Sequence, residues 1–371
     1  MDDQCPRRTH WAASTLLVAF AIGCGAADAT PAPYTWHEVA ALPATWIQDL
    51  SFVSARVGFA AGGDGQVLRT TDGGVTWTPV IALDYPYYWY GVHAVTPNDV
   101  VATGFIVSNV YSTTTPAALI RWSHDGGDTW SDDLVLSNNN FVYPNRVHFW
   151  NSQVGFVATS SGAPDLFRTT SGGFALTDWS PQAVDESWFG AQFSALPNGH
   201  VRISGYRFCE SLDFAATWSC HPSVDSVFDG ATFFLSNDKD GWVGGGGGIG
   251  VPVGDPPKYE GWVHRTTDGG ATWSERTLDV TWPIRAILFV NKLDGWAMGG
   301  IAPGSGSDSG GAYVSHDGGA TWSMEADLGV PFQACATADY HLFCAGTDSG
   351  ATSHVFERDF DHVRVNDFEQ P

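Results

Sequence analysis

Strand-length apolar runs broken by polar turns recur along this chain, and helix signals are almost absent. Phe52-Val53-Ser54-Ala55-Arg56-Val57-Gly58-Phe59-Ala60 shows the pattern: an apolar strand, a polar turn, then a strand of small residues. Further copies run Phe149 to Ala158, Phe193 to Gly205, Phe234 to Gly244 and Phe289 to Gly299. Val92 to Gly104 is a looser copy, and Ala334 to Gly346 is the seventh.

A second motif follows most of these copies. Thr70 to Trp77 reads TTDGGVTW, Ser123 to Trp130 SHDGGDTW, Thr266 to Trp273 TTDGGATW and Ser315 to Trp322 SHDGGATW. Thr169 to Trp179, TTSGGFALTDW, and Ser211 to Trp218, SLDFAATW, are worn versions. Each reads as a hairpin. Asp72, Asp125, Asp213, Asp268 and Asp317 accept hydrogen bonds from their own turn, the glycine pair supplies positive φ, and Trp starts the returning strand. These aspartates are structural, because a calcium ion would need several further oxygens.

Together the two motifs make units of four strands, a to d, at roughly 48 residues per unit, a repeat length that suits a β-propeller. The expected fold is all-β, with seven four-stranded blades. The seventh unit has no full box after it, and Tyr34 to Val39 resembles a strand d, so the N-terminal strand is expected to close the last blade. Six blades with irregular termini is the alternative. Cysteine positions test the register. Cys209 and Cys220 have the same residue-number sum as Ser211 and Trp218, as opposed residues of one hairpin must. Cys335 and Cys344 centre on Asp339-Tyr340, where a two-residue a–b turn belongs. Two hairpin-stapling disulfides follow, in keeping with an exported chain.

Composition agrees with short strands and tight turns: of 371 residues, 43 are Gly, 17 Trp and 22 Phe, against 17 Lys and Arg. The net charge of -23 argues against nucleic acid and against direct contact with an anionic membrane surface. Arg7 and Arg8 precede an apolar run, Trp11 to Ile22, too short to span a bilayer and suited to a signal peptide. The run ends in Ala21-Ile22-Gly23-Cys24, which resembles a bacterial lipobox and implies a lipid on Cys24. Ordinary secretion with cleavage near Ala27 is the rival. The expected organisation is a lipoprotein signal over 1–23, a lipidated tether over 24–33 and the propeller over 34–371. A monomer in the bacterial envelope, held to the outer membrane or cell surface only by its lipid, is the expected state.

The box motifs resemble the BNR/Asp-box superfamily, which includes sialidases, some endoglucanases, sortilin-type receptors and photosystem II assembly factors. VGFAAGGDGQVLRTTDGGVTW, from Val57 to Trp77, and DGWAMGG, from Asp294 to Gly300, look most like the last group. The sialidase branch implies an arginine triad, a tyrosine nucleophile with its glutamate, and an acidic aspartate. None can be placed here, since Arg69, Arg168 and Arg265 share one repeat position just before a box. The assembly-factor branch implies a basic patch, whereas only Lys239, Lys258 and Lys292 are lysines. No cofactor is implied, and the histidines are scattered without zinc-site spacing.

In a propeller strand a lines the channel, and the d–a and b–c loops share the face that usually binds. An aromatic precedes strand a in every unit: Trp46, Trp89-Tyr90, Tyr143, Trp188-Phe189, Phe228, Trp282 and Phe332. They form either a ring at the channel mouth or packing between blades. Asp49, His93, Arg146, Asp229 and Arg285 are the polar residues at the same places. Trp46, Asp49, Trp89, Tyr90, Tyr143, Arg146, Trp188, Asp229, Trp282 and Arg285 are therefore the candidate binding set, for a protein or a glycan. The run YPYYWY, Tyr85 to Tyr90, would mark an interaction surface if exposed. The b–c insertions Ser108 to Ala117, Gly246 to Gly261 and Ala302 to Gly311 read as flexible lips. A non-catalytic binding or assembly module is the first reading. A glycoside hydrolase using carboxylates such as Asp49, Asp229, Asp185 or Glu186 is the alternative, and it requires a pair ~5–10 Å apart.

Overall fold

Seven antiparallel four-stranded sheets follow one another along the chain in the computed structural model. It describes residues 35–43, 45–62, 65–82, 87–106, 117–137, 143–160, 166–182, 184, 192–204, 208–221, 232–235, 239–249, 258–278, 282–301 and 308–360. In blade 1 the strands a to d are Ile47–Phe52, Gly58–Gly62, Gln66–Thr70 and Thr78–Ile81. Blades 2 to 6 repeat this order. Blade 7 takes strands a to c from Phe332–Ala338, His341–Thr347 and Thr352–Asp359, and strand d from His37–Pro43. The N-terminal strand thus closes the last blade, as expected, and the blade count is seven rather than six. The one described helical element is a three-residue 3-10 turn, Leu176–Asp178, inside the worn box of blade 3.

The a–b hairpins are set by an aromatic facing a glycine. Phe52, Phe149 and Phe289 end strand a opposite Gly58, Gly155 and Gly295. A Cβ on these glycines would lie 2.5, 2.5 and 2.4 Å from the facing ring, so only Gly lets the ring lie over the neighbouring strand. Register at both disulfides matches the sequence reading: Cys209 is bonded to Cys220 and Cys335 to Cys344, each across a directly paired position. Asp339 and Tyr340, with φ of 46° and 70°, form the tight turn between the second pair.

The Asp boxes close the c–d hairpins through one repeated network. Asp72 Oδ1 accepts from Thr76 N at 2.9 Å and from Thr70 Oγ1 at 2.9 Å, while Oδ2 accepts from Thr76 Oγ1 at 2.6 Å. Thr70 Oγ1 in turn accepts from Gly74 N. The first box glycine donates its N–H to the a–b turn of its own blade, Gly73 to Arg56 O and Gly126 to Asn98 O. These bonds hold Asp125 and Asp268 down to a pKa of about 2, chiefly through the threonine hydroxyl. In blade 4, Phe214 and Ala215 take the left-handed conformations of the missing glycines, φ 58° and 61°, and the Cys209–Cys220 bond staples that same hairpin.

Among the described residues cores form between blades rather than within them, because strands pack side chains against the neighbouring sheets on either face. Phe343 and Val355 of blade 7 pack on Leu50, Phe52 and Leu68 of blade 1, with Phe52 and Phe343 stacked at 3.8 Å. Trp242 of blade 5 stacks on Phe289 of blade 6 at 3.7 Å. Strand a is the edge strand of its sheet, and in blade 2 side chains of the preceding blade satisfy that edge. Asp49 and Ser51 of blade 1 accept from Val92 N and Ala94 N of blade 2. On the outside, Glu325 of blade 6 accepts from Trp36 and Trp296 indoles and from the Arg358 guanidinium of blade 7. Arg168 reaches into the next blade's box, donating to Phe214 O, which makes this arginine a staple between blades.

Two of the expected lips are partly strand. In blade 5 strands b and c run Gly241–Ile249 and Lys258–Thr266, so Gly246 to Ile249 and Lys258 to Gly261 extend the hairpin. Gly310 and Gly311 belong to strand c of blade 6. Paired backbone groups outweigh the local Gly preference for turns at these positions. Cys24 and the whole 1–34 segment lie outside the described residues.

Candidate binding face

Two cavities share Arg285 and Gln333, which lie on strands a of blades 6 and 7. The channel cavity, about 390 Å³, is lined by strands a and includes Asp49, His93, Arg146, His148 and Arg285. A second cavity, about 500 Å³, opens on the d–a/b–c face. Its walls are Trp46 and Gln48 from the start of blade 1, Pro331 and Phe332 from the start of blade 7, and the b–c turn Thr347 to Ala351. The wall is mostly apolar with a few polar groups, the usual composition of a site that orients a ligand.

Trp46 is 48% exposed, and its indole N–H donates to Gln333 Oε1 at 3.0 Å. Gln333 Oε1 also accepts from Thr347 Oγ1 at 3.3 Å. An exposed aromatic is thus held in one orientation by its neighbours. Asp348 on the same wall is committed to the turn, accepting from Thr352 N and lying 3.2 Å from His354 Nε2. Arg285 is exposed between the two cavities, and no carboxylate among the described residues forms an ion pair with it.

In the channel wall Asp49 is buried and paired with Arg146, while its second oxygen accepts from Val92 N at 3.1 Å. Burial raises the Asp49 pKa, with Arg146 and the backbone N–H groups opposing that rise. His93 contacts Phe149 O at 3.0 Å, and burial pushes its pKa down to about 4. His148 lies beside it, ring centroids 4.9 Å apart, and burial lowers it too. Both imidazoles are therefore neutral at pH 7, and Arg146 and Arg285 supply the cationic character of this wall.

Of the candidate set, Trp46 and Arg285 share the face cavity, and Asp49 and Arg146 join Arg285 in the channel. Trp89 and Trp282 leave the set. They are 0% and 6% exposed and sit in the cores between blades 1 and 2 and between blades 5 and 6. Of the described residues of the YPYYWY run only Trp89 is enclosed, while Tyr87, Tyr88 and Tyr90 are half-buried. Over Tyr87 to Tyr90 the run is strand a of blade 2, with Tyr87 bonded to Asp133 and Tyr88 stacked on Phe105. Tyr90 and Tyr143 also pack around Phe105 and line neither cavity. Trp188, Asp229, Asp185 and Glu186 lie outside the described residues. The sequence reading missed Gln48, Gln333 and Thr347. Nothing in their local sequence marks them, because they become a site only when blades 7 and 1 meet.

The sequence matches the family described as photosynthesis system II assembly factor YCF48 over residues 29–201, and a BNR/Asp-box repeat over 313–324. No curated protein matches it. Among solved structures, YCF48 bound to D1 peptide has a TM-score of 0.62 at 18% identity, covering 89% of this chain and 98% of that one. YCF48 from Cyanidioschyzon merolae gives 0.61 at 19% identity, with coverages of 88% and 99%. The GH74 xyloglucanase from Xanthomonas campestris gives 0.57 at 15%, covering 91% of this chain but 55% of its own. At these identities the structural likenesses speak to the fold alone. The repeated boxes, the seven closed blades and the matched sequence together place the chain among the BNR/Asp-box repeat β-propellers, of the YCF48-like kind over its N-terminal half.

Proposed function

We propose that this propeller is a non-catalytic binding module that takes an extended protein segment on its d–a/b–c face. The observation that carries the reading is the cavity of about 500 Å³ between blades 7 and 1, with the fixed, exposed Trp46 on its wall and Arg285 at its junction with the channel. Trp46 offers an aromatic face to an apolar side chain. Arg285 offers its guanidinium fork to a carboxylate or a main-chain carbonyl. A solved YCF48 of the same fold holds a D1 peptide, which supports a protein segment over a glycan. The hydrolase alternative loses support from Asp49, whose oxygens serve Arg146 and the Val92 N–H. We place the module in a bacterial envelope, tethered through Cys24; labelling with a radioactive fatty acid, lost in Cys24→Ala, tests that tether.

The binding reading is tested by selecting a displayed library of random ten-residue peptides against the purified propeller and against Trp46→Ala and Arg285→Ala. Enriched peptides that bind the parent and lose about tenfold or more in each variant are expected, from removal of one anchor at an interface centre. Peptides that bind all three proteins equally, or turnover of a glycoside panel by the parent, would overturn it.

A further inference from the structure

Strands c and d of blade 7 come from opposite ends of the chain, so no hairpin joins them at the face where other blades carry an Asp box. A cluster of metal-ligating side chains occupies that end instead. Strand c supplies Glu357 and Asp359, strand b supplies His341, and His37 is the first residue of the closing strand. His341 Nδ1 lies 2.5 Å from Glu357 Oε1 and 2.8 Å from Asp359 Oδ1. The other Glu357 oxygen, Oε2, is 3.1 Å from His37 Nε2. His37 pairs directly with Glu357 across the strands, and His341 pairs with Asp359.

We infer that His341, Glu357 and Asp359 form a binding site for a divalent transition-metal ion such as Zn²⁺, with His37 as the residue that positions Glu357 from the closing strand. This goes beyond the peptide-binding reading and does not depend on it. The donor set, one imidazole and two carboxylates, suits zinc, and the nitrogen selects against Mg²⁺ and Ca²⁺, which take oxygen ligands. The ligand atoms lie within 4.8 Å of one another, and among the described residues no other trio of His, Cys, Asp or Glu does so. Around one zinc with bonds of about 2.0–2.2 Å, ligand atoms stand roughly 3.3 Å apart. His341 must therefore part by about half an ångström from Asp359 and by about 0.8 Å from Glu357, and the His341 and Asp359 side chains, 29% and 54% exposed, have room to do so. Binding through Nδ1 takes the His341 tautomer whose proton sits on Nε2, so the imidazole stays neutral, and water completes the coordination. The hydrogen bond from His37 fixes the Glu357 carboxylate, as outer partners of metal ligands do. The ion then ties strand b of blade 7 to strand c, and the His37–Glu357 hydrogen bond links that pair to the N-terminal strand, at the end where the Asp-box hairpin joins strands c and d in the other blades.

The test is calorimetric titration of the full, chelator-stripped chain with ZnCl₂ and with MgCl₂ near pH 7. One Zn²⁺ per chain and no Mg²⁺ are expected. His341→Ala and Asp359→Asn should abolish that binding, and His37→Gln should weaken it about tenfold. Circular dichroism of each variant checks that it has folded. Saturating Zn²⁺ should raise the unfolding temperature of the parent by a few degrees and leave His341→Ala unmoved. Absence of stoichiometric Zn²⁺ binding by the parent, or equal binding by folded His341→Ala, would overturn the site.

Discussion

Replacing Arg146 with Met should expose what Asp49 is for. Asp49 is held 6% exposed beneath Arg146, itself 24% exposed, and the pair joins blade 1 to blade 3 across 97 residues. Removing one member of a buried ion pair leaves the other charge uncompensated and costs about 3–5 kcal/mol; partial exposure of Arg146 places this case near 3. The cost must depend on pH with a definite sign. The Asp49 pKa in the folded protein already lies above the ordinary 3.8, because burial outweighs Arg146 and the N–H groups, and losing Arg146 raises it further. A carboxylate with a raised folded pKa lowers stability once the pH exceeds the unfolded value, and it does so in full above the folded value. The deficit of Arg146→Met relative to the parent should therefore be larger at neutral than at acid pH, shrinking as the pH falls through the folded pKa toward the ordinary carboxylate range. Urea unfolding of both proteins at pH 7 and pH 4.5 measures it. The double variant Asp49→Asn/Arg146→Met should regain most of the loss, since the amide is neutral and still accepts from Val92 N. An equal deficit at both pH values, or none, would refute the account of Asp49 as a paired structural anion.

Gly295→Ala puts a methyl 2.4 Å from the Phe289 ring and should cost about 1–3 kcal/mol through overpacking, read as a lowered unfolding midpoint, while Gly329→Ala, where nothing lies within 4 Å, tests backbone strain alone at φ 71°. Buried His93 makes the fold acid-sensitive: its pKa falls from 6.5 to about 4, so the unfolded chain takes up the proton first as pH drops. Its contribution is present above pH 6.5 and declines by about 3 kcal/mol down to pH 4, a loss that His93→Gln should reduce in stability–pH profiles.

The repeat was legible in the sequence because its determinants are local. An aromatic facing a glycine, an Asp bonded to a Thr four residues on, and cysteines at equal sums all act within one hairpin, so spacing alone reports them. The candidate site was legible only in part. A strand alternates faces, but both faces of a propeller blade are buried, so alternation does not say which aromatic reaches water. The register sets Trp89 at the place that Ile47 holds in blade 1, both fully enclosed, whereas Trp46 lies one residue earlier and is 48% exposed, a one-residue difference that spacing along the chain did not resolve.

By itself the sequence determined the four-strand period, the box turns, the stapled hairpins and the origin of the closing strand. Each rests on backbone geometry that a few consecutive residues impose. Only the tertiary structure decided which side chains meet across blades. Trp46 meets Gln333 over 287 residues, and His37 meets Glu357 over 320. Those pairings follow from closing a ring, which brings the two ends of the chain into one sheet and makes neighbours of residues that no local pattern connects.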